Sequence, residues 1–219
     1  MLSESFSLSH VYKNWITTSL NYTFTKDVFN QLPVQNDETG IIYNTTHNIG
    51  TSNYYGLTVT ANRPITNFWY CYSTFGIYHT KTYDTRENEV NPNSVSGTQY
   101  FFNTYNSFSL PKNFSLELSG QFVSSAVSFW NMKQFYVLNA NISKRFSNNS
   151  KLTLSLNDIF NTTVYDTETT YSNLNISSYY KPETRVLNLT YTMPFGRPKA
   201  KVNKTRSTGI EDEKNRIKF

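Results

Sequence analysis

Cysteine, alanine, charge and long apolar runs are all scarce in this chain, and each scarcity excludes something. A single cysteine, Cys71, excludes an intrachain disulfide and any multi-cysteine metal knuckle. It is expected on a strand among aromatics, as a small apolar residue. Only four of the 219 residues are alanine, while Asn, Ser and Thr are abundant, a mix that disfavours helices and suits strands and turns. Charged residues make up 16%, mean hydropathy is -0.54, and no stretch nears the ~18 apolar residues a membrane-crossing helix requires. Missing too are G-x-x-x-x-G-K-[ST], H-E-x-x-H and G-x-S-x-G. His10, His47 and His79 lie far apart without ligand spacing, and nothing brings Asp158 and Glu117 together as a carboxylate pair. Neither an enzyme nor a bound metal or cofactor is expected.

What the chain does have is alternation. Side chains on a strand flip face at every residue. In Lys151–Asn157, Leu152, Leu154 and Leu156 point one way while Lys151, Thr153, Ser155 and Asn157 point the other. Nine such stretches are predicted: Ser3–Tyr12, Trp15–Gln31, Ile41–Ala61, Thr66–Thr82, Gly97–Leu110, Asn113–Ala126, Lys133–Phe146, Lys151–Phe160 and Thr184–Phe195. Thr66–Thr82 is so aromatic that its faces cannot be assigned. The connections run short, long, short, long. Tight turns are expected at Lys13-Asn14, Asn62–Pro64, Pro111-Lys112 and Ser147–Ser150, and long loops at Pro33–Gly40, Tyr83–Ser96, Ser128–Met132 and Asn161–Glu183. All seven prolines fall in turns, in loops, at the end of the last strand (Pro194) or past it, as residues that cannot donate to a ladder should.

A soluble β-sandwich or a small packed barrel also alternates. Here the polar face is Ser, Thr and Asn with few Lys and Glu, and aromatics gather near strand ends, which suits a lumen and an interfacial girdle. The predicted fold is therefore all-β, an antiparallel transmembrane β-barrel. Nine antiparallel strands cannot close on themselves, and an open sheet leaves two edges of backbone groups without partners in lipid. MLSESFSLSH shows no basic stretch followed by an apolar one, so no signal peptide is visible. Both features lead to the expectation of a C-terminal portion, 9–10 strands of a larger barrel, that does not fold stably alone as a monomer. Residues 1–195 are expected to be barrel strands. Residues 196–219 hold eight Lys or Arg and three Asp or Glu, which accounts for the whole net charge of +5, and are expected to be a disordered basic tail. With the rest neutral, no nucleic-acid partner is expected.

Leu152-Thr153-Leu154-Ser155-Leu156-Asn157-Asp158-Ile159-Phe160-Asn161-Thr162 resembles the stretch that precedes the last strand pair of TonB-dependent outer-membrane receptors. Arg185–Gly196 resembles their closing strand, with Met193-Pro194 interrupting its usual ending. Ser207–Ile217 is similar to the tail of the outer-membrane β-barrel protein family common in Bacteroidota. The resemblance implies a cell outer membrane location and a barrel of about 22 strands. It also implies an N-terminal plug that engages the TonB system, and energised uptake of a scarce nutrient: a siderophore, an oligosaccharide or a peptide. Its implied partners are outer-membrane lipid, the missing N-terminal strands and plug, and that small molecule. It further implies that the short turns face the periplasm and the long loops the outside. Asp84, Arg86, Glu87, Trp130, Tyr165, Tyr171, Tyr179 and Tyr180 would then be candidate ligand contacts, the tyrosines stacking on sugars or aromatic chelates and the charges selecting charge. The alternatives are a passive structural or adhesin-type outer-membrane barrel, or an outer-membrane protease or lipase whose catalytic residues lie on missing strands.

Overall fold

The computed structural model describes residues 1–84, 94–126, 131–171 and 174–195. Fourteen strands account for most of them: β1 (Leu2–Tyr12), β2 (Ile16–Lys26), β3 (Phe29–Gln35), β4 (Ile42–Asn48), β5 (Gly50–Pro64), β6 (Trp69–Asp84), β7 (Ser94–Leu110), β8 (Phe114–Val123), β9 (Asn131–Met132), β10 (Phe135–Arg145), β11 (Lys151–Leu156), β12 (Tyr165–Tyr171), β13 (Leu174–Tyr180) and β14 (Leu187–Thr192). Nine of them form one antiparallel sheet in the order β1-β2-β5-β6-β7-β8-β10-β11-β14. The remaining strands make a two-stranded ribbon, β3-β4, and a three-stranded one, β13-β12-β9. Among the described residues β1 and β14 are each paired on one side only, so the sheet is open.

The nine predicted stretches thus correspond to the nine strands of the main sheet, and the short-long rhythm holds. Lys-Asn serves as a tight turn twice. Lys13 and Asn14 have φ of 47° and 57°, and Lys112 and Asn113 have φ of 56° and 59°. Two successive left-handed residues are what a strand-compatible hairpin turn requires, and Asn tolerates that region better than most residues. Each turn closes on a backbone bond, from Trp15 N–H to the Tyr12 carbonyl at 3.1 Å and from Phe114 N–H to the Pro111 carbonyl. The turn expected at Asn62–Pro64 is displaced. β5 runs through Pro64, and the chain reverses at 65–68, where Thr66 Oγ1 accepts the Trp69 N–H at 3.0 Å.

The larger corrections concern the long connections, since two expected loops are hairpins. Trp15–Gln31 and Ile41–Ala61 each split in two: the first breaks at Asp27 (φ 53°), the second at Gly50 (φ 105°). The Val28 N–H donates to the Gly50 carbonyl at 2.9 Å, and the Ile49 N–H to the Val28 carbonyl at 2.8 Å. Above this hinge β3 and β4 pair around a turn in which Asn36 Oδ1 accepts the Glu38 and Thr39 N–H groups. Pro33, expected in a loop, sits inside β3 opposite Asn44. A two-stranded ribbon leaves one side of each strand without a ladder, so a missing N–H is tolerated there. Likewise the Asn161–Glu183 loop contains the β12–β13 hairpin. The last strand is shorter than expected, six residues against Thr184–Phe195.

The register settles the faces, those of β6 included. One row across the sheet reads Leu8, Leu20, Leu57, Ile77, Tyr100, and another reads Phe108, Leu116, Ile142, Leu154, Leu189. The opposite face carries Ser3, Ser5, Ser7 and Ser9 bonded to Thr25, Thr23, Asn21 and Ser19 at 2.9–3.0 Å. The apolar face is bare. Leu8 is 68% exposed and Leu189 70%, and the buried hydrophobic side chains among the described residues are Leu32, Ile49 and Leu174, none of them in the main sheet. A soluble sandwich would bury such a face against a second layer. Cys71 lies on β6 as expected but half-exposed, with its Sγ 3.4 Å from Ser73 Oγ and Asn106 opposite it in register, so its surroundings are polar as well as aromatic.

Candidate functional site

The hydroxyl face divides into a neutral part and a charged part. On β1, β2, β5, β6 and β7, the positions of this face from Ser3 through Thr82 and from Val95 through Ser109 hold no Lys, Arg, Asp or Glu. Charge returns on β8, β10 and β11 with Glu117, Arg145 and Lys151. Many hydroxyls satisfy one another across strands, as in Ser52–Thr82 at 3.1 Å, Thr60–Thr74 at 3.2 Å and Ser143–Thr153 at 3.0 Å. Interrupting them are three rings on neighbouring strands: Tyr54 and Tyr78 with centroids 5.8 Å apart, and Tyr78 and Phe101 at 6.4 Å. Two glycines make room for them. A Cβ on Gly56 would sit 2.8 Å from Tyr54 Oη, and one on Gly76 only 2.2 Å from the Phe101 ring. The rings therefore lie against bare backbone, as aromatics do where they cover strand glycines.

Above this wall the hairpins lean inward. Leu32 and Ile49 are buried together with Val28 and with Val95 of β7. Val95 pairs with Thr82, which places it on the hydroxyl face. The β3–β4 ribbon therefore folds over the wet side of the sheet. β13 hangs from the other end of the sheet, between β11 and β14, and touches β3. The two hairpins meet above the hydroxyl face.

Asp158 fixes where the second hairpin departs. Left-handed backbone at Asp158 (φ 43°) and Asn161 (φ 54°) turns the chain off β11. The Asp158 side chain is 1% exposed. Its Oδ1 accepts the Thr162 N–H at 2.9 Å, and its Oδ2 accepts the Thr163 N–H at 3.0 Å and the Thr184 hydroxyl at 2.5 Å. Its own N–H donates to Asn139 Oδ1 of β10 at 2.8 Å. Burial pushes this carboxyl up, but the hydrogen bonds from Thr184, Thr162 and Thr163 outweigh it and hold the group well below the usual carboxylate range. One carboxylate thus ties together the end of β11, the strand beside it and the approach to β14. Glu117 is elsewhere, accepting from Asn141 Nδ2 at 3.4 Å, so the two carboxylates do not form a pair.

The eight candidate contacts fare unevenly. Tyr165 and Tyr180 are register partners on β12 and β13 and stack at 6.1 Å. Tyr179 lies on the other face of that hairpin, opposite Asp166, and is 66% exposed. Tyr171 is at the far end of β12, paired in register with Leu174. Asp84 ends β6 rather than standing in a loop. Arg86, Glu87 and Trp130 lie outside the described residues, as does the 196–219 tail. Sequence reasoning missed Tyr54, Tyr78 and Phe101, and it missed Lys133, whose Nζ reaches Asp166 at 2.9 Å and Glu168 at 3.3 Å to tie β12 to the foot of β10. The signal for the rings was Gly56 and Gly76 inside otherwise unbroken strands, a pattern that marks close approach of another group. Among the described residues no cluster of His, Cys, Asp or Glu has metal-ligand geometry.

A family model, described as the outer membrane protein beta-barrel family, matches residues 1–192. The chain belongs to that family. It is an outer membrane protein, and the two faces of its sheet take their meaning from that: in such a barrel lipid meets the apolar face and water the hydroxyl face. No curated protein and no solved structure matches the chain.

Proposed function

We propose that this outer-membrane barrel protein is part of a TonB-dependent uptake receptor, its nine-stranded sheet being the C-terminal wall of a larger barrel of about 22 strands. The observation that carries the reading is the pair of hairpins converging over the hydroxyl face. A pore whose outer mouth is covered by packed hairpins is suited to selecting a ligand, and less suited to free diffusion. The open edges at β1 and β14 support the larger barrel, because unpaired strand edges in lipid cost several kcal/mol per group. The missing strands and a plug engaging TonB would complete it, and no catalytic role is assigned to this chain.

The test is uptake in living cells. Growth on a limiting nutrient that requires this gene should be lost when TonB is removed. It should fall when residues 29–48, the β3–β4 hairpin, are replaced by a short turn. Uptake that persists without TonB would replace this reading with a passive barrel.

A further inference from the structure

We infer that the neutral part of the wall binds a neutral, polyhydroxylated ligand, an oligosaccharide, along the three rings Tyr54, Tyr78 and Phe101; this rests on reading the hydroxyl face as a pore wall. Three observations converge. First, the rings sit on β5, β6 and β7, the three longest strands of the sheet, in a diagonal step from one strand to the next. Second, Tyr54 lies against Gly56 and Phe101 against Gly76, with Tyr78 between them tilted by 31° and 51° to its neighbours, and all three rings stay half-buried. A ring face presents negative charge to the C–H groups of a pyranose, and its flatness matches their spread.

Third, the surroundings fit sugar and little else. Thr58, Thr80, Gln99, Asn103 and Gln121 share this face, and on β5–β7 no charged side chain lies on it up to Thr82, Arg63 and Lys81 being on the opposite face. A charged iron chelate or an acidic peptide would find no counter-charge here. Many hydroxyls of the face close on one another, but the Tyr54 and Tyr78 hydroxyls have no hydrogen-bond partner among the described residues. They are left able to bond a ligand. Burying such groups against a ligand without polar atoms would cost affinity, and against sugar hydroxyls it adds to it.

The experiment measures binding to outer membranes of cells expressing the gene, with membranes from a deletion strain subtracted. Labelled maltohexaose and cellohexaose are the neutral probes, and an oligogalacturonate of similar length is the acidic one. At least one neutral probe should bind and the acidic one should not. Tyr78→Ala and Phe101→Ala should each weaken binding by about tenfold, a loss in the range expected for one stacked ring. Tyr78→Phe, which keeps the ring, should lose less. Tyr100→Ala, on the apolar face of β7, should leave binding unchanged, and the heat-modifiable fraction of each variant on gels shows that it folds. Absence of binding for both neutral probes, equal binding of the acidic probe, or unchanged affinity in both alanine variants would overturn the inference. None of these outcomes depends on TonB, so the uptake reading and this one fail separately.

Discussion

The middle of the sheet and its far end solve the same problem by opposite means. β5, β6 and β7 run 15, 16 and 17 residues, while β11 and β14 run six each. The long strands are supported on both faces, by aromatic and leucine rows outside and by hydroxyl ladders and rings over glycine inside. No single residue there is decisive, because each cross-strand pair contributes only about 0.2–1 kcal/mol and many are repeated. The short strands have little ladder to share. Their geometry depends on one buried carboxylate, Asp158, which gathers donors from two places in the chain, Thr162-Thr163 and Thr184. A distributed wall tolerates losses, and a hub does not.

Removing the hub is therefore expected to have the largest effect. Asp158→Ala leaves the Thr162 and Thr163 N–H groups and the Thr184 hydroxyl without their acceptor. Each orphaned buried donor costs about 1–3 kcal/mol, so the total loss is expected at about 3–5 kcal/mol. Asp158→Asn keeps an acceptor and should lose clearly less. The midpoint of urea unfolding in lipid vesicles measures both. The same group makes a pH prediction. Its folded carboxyl is held below the unfolded value of about 3.9, so its stabilisation is fully present above that value and is lost as pH falls further toward the folded one. Unfolding midpoints should be flat from neutral pH down to about 5 on this account and decline below about 4. In Asp158→Asn that acid-side decline should shrink.

The contrast also explains what could be read from residues alone. Strands such as Lys151–Leu156 and Leu187–Thr192 were legible because strict alternation with lipid on one side leaves a period-2 signature and one allowed register. The turn at Lys13-Asn14 was legible as read, and the one expected at Pro111-Lys112 sits one residue later, at Lys112-Asn113, where left-handed backbone favours Asn. The hairpins were not. In β3, Leu32 and Val34 alternate with Gln31 and Gln35, but Pro33 between them reads as a loop signal, and in β12 Asp166–Thr170 holds no apolar residue to alternate. The Asp158 hub was seen as a recurring stretch but not as a mechanism, since its partner Thr184 is 26 residues away. The ring track escaped notice for a related reason. It runs across strands, and its three members belong to three separate segments whose register only the fold supplies.

Polarity of the two faces gives the next prediction. Leu154 and Leu189 are cross-strand neighbours on the apolar face, and Thr153 and Thr190 are neighbours on the other. An arginine facing lipid costs about 2–4 kcal/mol near the middle of the bilayer, and much less in a wet lumen. Leu154→Arg should therefore lower assembly into membranes far more than Thr153→Arg, measured as the heat-modifiable fraction on gels. Equal losses would mean that the faces are assigned the wrong way round. Gly76→Ala should cost less, about 1–3 kcal/mol, because its Cβ must displace the Phe101 ring against which it sits. Phe101→Ala in the same chain should recover part of that loss, which a mere effect of glycine on backbone flexibility would not allow.

The smallest effect is expected on β1, at the open edge. Ser5 and Thr23 share one hydrogen bond at 3.0 Å within a ladder of four such pairs, and Ser5 is exposed. Ser5→Ala should change the unfolding midpoint by well under about 1 kcal/mol, because the partner hydroxyl can turn to water and the neighbouring rungs hold the register. That expectation holds only while the outer edge of β1 lies free. If a further strand pairs with β1 in the assembled barrel, Ser5 moves from rim to interior. Its loss then leaves Thr23 with less water to turn to, and the cost should rise toward that of Ser143→Ala, whose hydroxyl is 5% exposed and bonded to Thr153. Comparing Ser5→Ala with Ser143→Ala in the assembled membrane form thus reads whether β1 is an edge.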